Sequence, residues 1–149
     1  YRPMVKEMLL IEDSMSDAHL IMRAIEREQL VEKVHWIKDG ETALNTLIAP
    51  ENPKLELVFL DIMLPKITGL EILEILKEKN LINENLPIVV FSSSNQDRDI
   101  KRAMANGAKH FLTKPSSYRD LKEALRTLFK QSLFKDRYHG TESTQYPTA

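Results

Sequence analysis

The sequence predicts an α/β fold, a parallel five-stranded sheet doubly wound by helices in the strand order 2-1-3-4-5. Three observations predict it. Short apolar runs alternate five times with stretches of helical periodicity along 149 residues. The third run, unlike the half-buried second, Val34-His35-Trp36-Ile37, is continuous in apolar character, as a strand buried on both faces must be. It is Leu57-Val58-Phe59-Leu60, and it leads straight into a lone carboxylate, Asp61, with Pro65 and Gly69 beyond it. A polar group at the C-terminal end of a strand is where an open α/β sheet keeps its chemistry. Right-handed crossovers leave few topologies for five such units, and 2-1-3-4-5 is the most economical.

The first strand is Met8-Leu9-Leu10-Ile11, followed by Glu12-Asp13 and by Ser14 and Asp17 as helix caps. Ala18, Ile21, Met22 and Ile25 then recur at helical spacing. Val34-His35-Trp36-Ile37 is the second strand, and Asp39 caps a helix carrying Ala43, Leu44 and Leu47, which Pro50 ends. Thr68 and Glu71 form a capping-box pattern after the third strand. Ile88-Val89-Val90-Phe91 is the fourth strand, ending in Ser92-Ser93-Ser94, and Gly107 stops its helix in a left-handed cap. His110-Phe111-Leu112-Thr113 is the fifth strand, ended by Lys114-Pro115, and Ser117 caps a last helix through Leu121, Leu125 and Leu128. One domain spans 6–131, and 132–149 is an extension, polar from Lys135 onward, expected to be flexible or docked on a partner.

Composition narrows the function. Lys plus Arg is 21 and Asp plus Glu is 22, a formal net charge of −1, so no overall charge draws the chain to nucleic acid or to anionic lipid. Without cysteine, disulfides, thiolate catalysis and Cys-zinc sites are excluded. No apolar run approaches the roughly 20 residues of a membrane span. A cytoplasmic protein is expected.

In the predicted order the first and third strands are neighbours, so Glu12, Asp13 and Asp61 converge at one rim. Three carboxylates in a small volume repel one another, and protonation or a bound cation relieves them. An all-oxygen set suits Mg²⁺. The fourth strand brings hydroxyls (Ser92 to Ser94) and the fifth brings Lys114 to the same rim. A metal, a lysine and a hydroxyl around one carboxylate accommodate three phosphoryl oxygens, with the carboxylate as nucleophile. Asp61, isolated in sequence, is the nucleophile candidate, while the adjacent Glu12 and Asp13 hold the ion. Each of these residues also has an ordinary role as strand end, cap or solvated lysine. Four strand ends at one rim carrying this set together favour the functional reading.

Those residues, in that order and spacing, resemble the response-regulator receiver domain of two-component signalling, a CheY-like, flavodoxin-like fold. The resemblance implies that Asp61 accepts a phosphoryl group from a phosphohistidine of a sensor histidine kinase. It implies that Glu12, Asp13, Asp61 and the Met63 backbone carbonyl hold Mg²⁺, and that Ser92 and Lys114 bind phosphoryl oxygens. It implies a cis Lys114–Pro115 peptide and a switch in which Ser92 moves and Phe111 turns inward. Met63 and Ser94 would tune the phosphoryl lifetime, and the apolar Met63 points to slow self-dephosphorylation.

The run Ile11 to Asp17, the triple Ser and the extension are similar to the stand-alone regulators paired with phytochromes. That likeness implies a homodimer through the face of the fourth helix, fifth strand and fifth helix, with Phe111, Leu112, Tyr118, Phe129, Leu133 and Phe134 as apolar candidates. Phe129 and Leu133 have the alternative of closing the last helix onto the core. An aspartyl-phosphate phosphohydrolase is disfavoured because Met63 stands where its general acid would be. The chain is therefore expected to be a signalling module and not an enzyme on an external substrate.

Overall fold

The computed structural model describes residues 3–137. Its elements alternate strictly. They are β1 (Val5–Ile11), α1 (Met15–Arg27), β2 (Val31–Ile37), α2 (Gly40–Ile48), β3 (Leu55–Leu60), α3 (Gly69–Glu78), β4 (Ile88–Ser92), α4 (Asp97–Ala105), β5 (His110–Thr113) and α5 (Tyr118–Leu128). All pairings are parallel and the order is β2-β1-β3-β4-β5, as the sequence predicts.

The period of two along each strand divides the core between the two faces of the sheet. Met8, Leu10, Leu57, Phe59, Val89 and Phe91 pack against α1 and α5. Leu9, Ile11, Val58, Leu60, Ile88 and Val90 face Ala43 and Leu47 of α2, Leu73 and Leu76 of α3, and Ala103 of α4. A strand buried on both sides has no polar face, which explains the unbroken apolar runs.

The caps fall where the side chains dictate. Ser14, Asp39, Thr68 and Ser117 each accept a backbone N–H in the first turn of their helix, and Thr68 with Glu71 completes the reciprocal capping box. Gly107 has φ 103°, a region that favours glycine. Beyond α5 the helix widens into a π-helical turn over Phe129–Leu133.

The chain then folds back on itself. Phe129 and Phe134 are buried against the α1/α5 core, so these two dimer candidates are committed to packing within the chain. Arg137 pairs with Glu56 at 2.9 Å and donates to the Met4 carbonyl at 3.1 Å. Of the extension 132–149, residues 138–149 lie outside the described residues. The peptide preceding Pro115 is not cis, since no described residue has a cis bond. This corrects the expectation from the resemblance. Trans is the lower-energy isomer of an X-Pro bond by about 0.5–1 kcal/mol, and the Lys114 side chain reaches its partners with the bond in that form.

Candidate functional site

The register of the sheet builds the site. Asp61 N–H donates to the Ile11 carbonyl at 3.0 Å, Glu12 N–H to Ile37 at 3.0 Å, and Lys114 N–H to Ser92 at 2.8 Å. The ladders thus continue one residue past the strands and bring Glu12, Asp61, Ser92 and Lys114 to one rim. A close backbone approach supports the β3–α3 loop. A Cβ on Gly69 would lie 2.2 Å from the Asp61 carbonyl oxygen, so only glycine lets α3 start beside the end of β3.

Asp61 is 4% exposed and Glu12 is 1% exposed. One Asp61 oxygen, Oδ1, accepts the Met63 N–H at 3.0 Å. The other, Oδ2, accepts from Lys114 Nζ at 3.1 Å. Glu12 Oε2 accepts the Ser14 N–H at 3.1 Å. Glu12 Oε1 lies 2.7 Å from Lys114 Nζ. That approach is a charge contact without hydrogen-bond geometry, so the buried oxygen accepts no hydrogen bond. One oxygen from each of Glu12, Asp13 and Asp61 lies within 4.8 Å of the others.

The electrostatics follow from this crowding. Burial, with the neighbouring Asp61 adding to it, pushes the Glu12 carboxyl up to about 7. Burial would lower Lys114, but its contacts with the Asp17, Glu12 and Asp61 carboxylates outweigh that and hold it above the ordinary lysine range. Two buried carboxylates and an exposed third, with one oxygen of each close to the others and one ammonium among them, fit a divalent cation. The donor set is all oxygen, which suits Mg²⁺, Ca²⁺ or Mn²⁺.

The remaining residues stand around this centre. Ser92 is buried, and its Oγ accepts the Ser94 N–H at 3.2 Å. Ser94 in turn donates its hydroxyl to Asp99 Oδ2 of α4 at 2.9 Å. Met63 is 64% exposed at the mouth. Phe111 is half-buried against the α2–α4 face, two positions before Thr113, the partner of Ser92. Two participants are missing from the sequence reading. Asp17 accepts from Lys114 Nζ at 2.8 Å, although in sequence it reads as a helix cap. Trp36 donates its indole N–H to the Glu12 carbonyl at 2.7 Å and so fixes the backbone of the acidic pair.

A family described as the response regulator receiver domain matches residues 8–126. The chain belongs to that family. Among curated relatives, this receiver is 37% identical to the probable methanogenesis regulatory protein FilR2 of Methanothrix harundinacea, over 89% of this chain and 86% of that one. It is 30% identical to the two-component response regulator ARR5 of Arabidopsis thaliana, over 94% of this chain and 80% of that one. Among solved structures, the Mn²⁺-bound response regulator Rcp1 superposes with a TM-score of 0.73 at 26% identity, over 86% of this chain and 94% of that one. The bacteriophytochrome response regulator RtBRR gives 0.65 at 30% identity, over 83% and 78%. The receiver is a signalling module of two-component systems, which work with sensor histidine kinases.

Proposed function

We propose that this receiver accepts a phosphoryl group on Asp61 from a phosphohistidine of its sensor kinase. The observation that carries the reading is the buried Asp61 carboxylate, bonded to Lys114 and crowded by Glu12. An Asp61 oxygen attacks phosphorus and the P–N bond breaks. Its electron pair leaves with the imidazole, which takes up a proton, and an acyl phosphate remains on Asp61. Lys114, already charged and desolvated, pairs with a phosphoryl oxygen without reorganising. The Ser92 hydroxyl bonds another. Glu12, Asp13, Asp61 and the Met63 carbonyl would hold Mg²⁺, which when bound would supply positive charge near the phosphoryl oxygens. The apolar, exposed Met63 gives an attacking water no hydrogen bond, which favours a long-lived phosphoryl group.

Output follows from the coupling of Ser92 to α4. Movement of Ser92 toward the phosphoryl group breaks its bond with Ser94, releases the Ser94–Asp99 link and opens room for Phe111. We assign the output to protein contacts on the α4–β5–α5 face, with homodimerisation as the first candidate. A phytochrome-class kinase is the partner we favour, because Rcp1, RtBRR and the phosphorylated cyanobacterial phytochrome regulator RcpA are among the similar structures. Incubation with acetyl phosphate and Mg²⁺, followed by mass and elution volume, tests this. One added phosphoryl mass and an earlier elution are expected. Absence of the mass overturns the phosphoacceptor, and the mass without the elution change overturns the dimer. Phosphoryl transfer from a phytochrome kinase no faster than from an unrelated kinase overturns the pairing.

A further inference from the structure

Lys114 is held from two sides. Its backbone is fixed beside Ser92, and its side chain crosses the Phe91 ring with Nζ 5.8 Å from the centroid. The ammonium then meets Glu12 Oε1 at 2.7 Å, Asp17 Oδ2 at 2.8 Å and Asp61 Oδ2 at 3.1 Å. Only the contacts with Asp17 and Asp61 have hydrogen-bond geometry, and the one to Asp17 is the shorter.

Asp17 differs from the other acids at the rim. It lies in the first turn of α1, where its backbone N–H is capped by Ser14 Oγ at 3.3 Å. Its side chain is 40% exposed. The set of carboxylates close enough to share an ion is Glu12, Asp13 and Asp61, without Asp17. Asp17 therefore adds nothing the ion requires, and its negative charge opposes the approach of an anionic phosphodonor. What it does provide is an acceptor, on α1, for one of the three ammonium hydrogens. Without that acceptor, Nζ is left with Glu12 and Asp61, whose oxygens a cation also needs.

We propose that Asp17 is a positioning residue that shares the Lys114 ammonium with Glu12 and Asp61, so that it is anchored toward α1 and does not rest on the cation-binding carboxylates alone, and holds it at the phosphoryl site. This rests on the reading of Asp61 as phosphoacceptor. The role belongs to the acceptor oxygen and not to the charge, so the two neutral substitutions separate. Asp17→Asn keeps an oxygen for Lys114 and relieves the repulsion. Asp17→Ala removes both. Each loses the same favourable charge at the N-terminus of α1, so a purely structural effect is common to the pair.

The test uses the full chain. Labelling by acetyl phosphate at saturating Mg²⁺ is followed by intact mass. Mg²⁺ affinity is followed separately by the fluorescence of Trp36, the sole tryptophan, whose indole is bonded to the Glu12 carbonyl. Asp17→Ala is expected to label about ten-fold more slowly, within the range that lost positioning produces, and to bind Mg²⁺ more weakly. Asp17→Asn is expected to label at least as fast as the wild type and to keep its Mg²⁺ affinity. Three results overturn the proposal: both variants labelling like the wild type, both labelling faster, or both slowing equally along with a common fall in melting temperature. A wild type that takes no label overturns the phosphoacceptor reading and this inference with it. A labelled wild type with an unaffected Asp17→Ala variant overturns this inference alone.

Discussion

Glu12 Oε1 and Lys114 Nζ stand 2.7 Å apart, yet burial, with Asp61 crowding it, still pushes the Glu12 carboxyl up to about 7. Breaking a buried pair by removing the cation leaves uncompensated charge and costs about 3–5 kcal/mol. Lys114→Met should therefore sharply lower the melting temperature at pH 8 without Mg²⁺. Added Mg²⁺ should recover part of the loss. A variant as stable as the wild type in metal-free buffer contradicts the crowding.

The opposite charge removal should stabilise. Glu12 binds its proton more tightly folded than unfolded, so its contribution to stability is present below about 4.5 and is lost as pH rises through about 7. In metal-free buffer at pH 8, Glu12→Gln should melt about 5 °C above the wild type, a shift of the size that 1–2 kcal/mol produces in such a domain. Near pH 4.5 the two should melt together. Added Mg²⁺ should raise only the wild type. Equal melting temperatures at pH 8 would sink the prediction.

Gly69→Ala places a Cβ 2.2 Å from the Asp61 carbonyl oxygen, which is backbone and cannot rotate away. Loss of about 1–3 kcal/mol is expected, read by chemical denaturation, as for other overpacked sites. Labelling of Asp61 should fall with it. An alanine variant with unchanged stability and labelling would show that the β3–α3 loop yields freely.

Met63 is 64% exposed beside Asp61, with its N–H already committed to Oδ1. Met63→Asn should shorten the phosphoryl half-life by about ten-fold, a modest share of what a positioned hydrogen bond contributes to a reaction. Decay of the phosphorylated mass after donor removal checks this. An unchanged half-life assigns the lifetime to other residues.

Glu28 at the end of α1 accepts from Arg126 of α5 at 2.8 Å, and that guanidinium holds its carboxyl below the usual carboxylate range. A lowered folded value gives stability that is present above the unfolded value of 4.5 and lost as pH falls through the folded value. Arg126 is half exposed, so screening limits the pair to about 0.5 kcal/mol. Arg126→Gln should lower stability at pH 7 by that amount and have no effect at pH 2. Equal effects at both pH values contradict the pairing.

Much of this was legible in the sequence because it was local. Buried parallel strands lack a polar face, so β3 and β4 announced themselves, and Ser14, Asp39, Thr68 and Ser117 cap helices by bonds to residues only three away. The rim set was legible because a parallel sheet collects its strand ends. Asp17 was not, since a helix cap has a sufficient local reason to be there and its bond to Lys114 spans 97 positions. The Trp36–Glu12 bond was hidden likewise, because an aromatic on an edge strand reads as packing. Phe129 reads equally well as surface or core from spacing alone, and the π-helical turn decides for the core, taking Phe134 with it.

Borohydride mapping of the labelled protein bears most directly on Asp61. Borohydride reduces an acyl phosphate to the alcohol, and peptide mass mapping then locates the altered residue. After treatment with acetyl phosphate and Mg²⁺, the alcohol should appear at position 61 of the wild type and nowhere in Asp61→Asn. An alcohol at another acid, or label that survives reduction on Ser92, would contradict Asp61 as the phosphoacceptor.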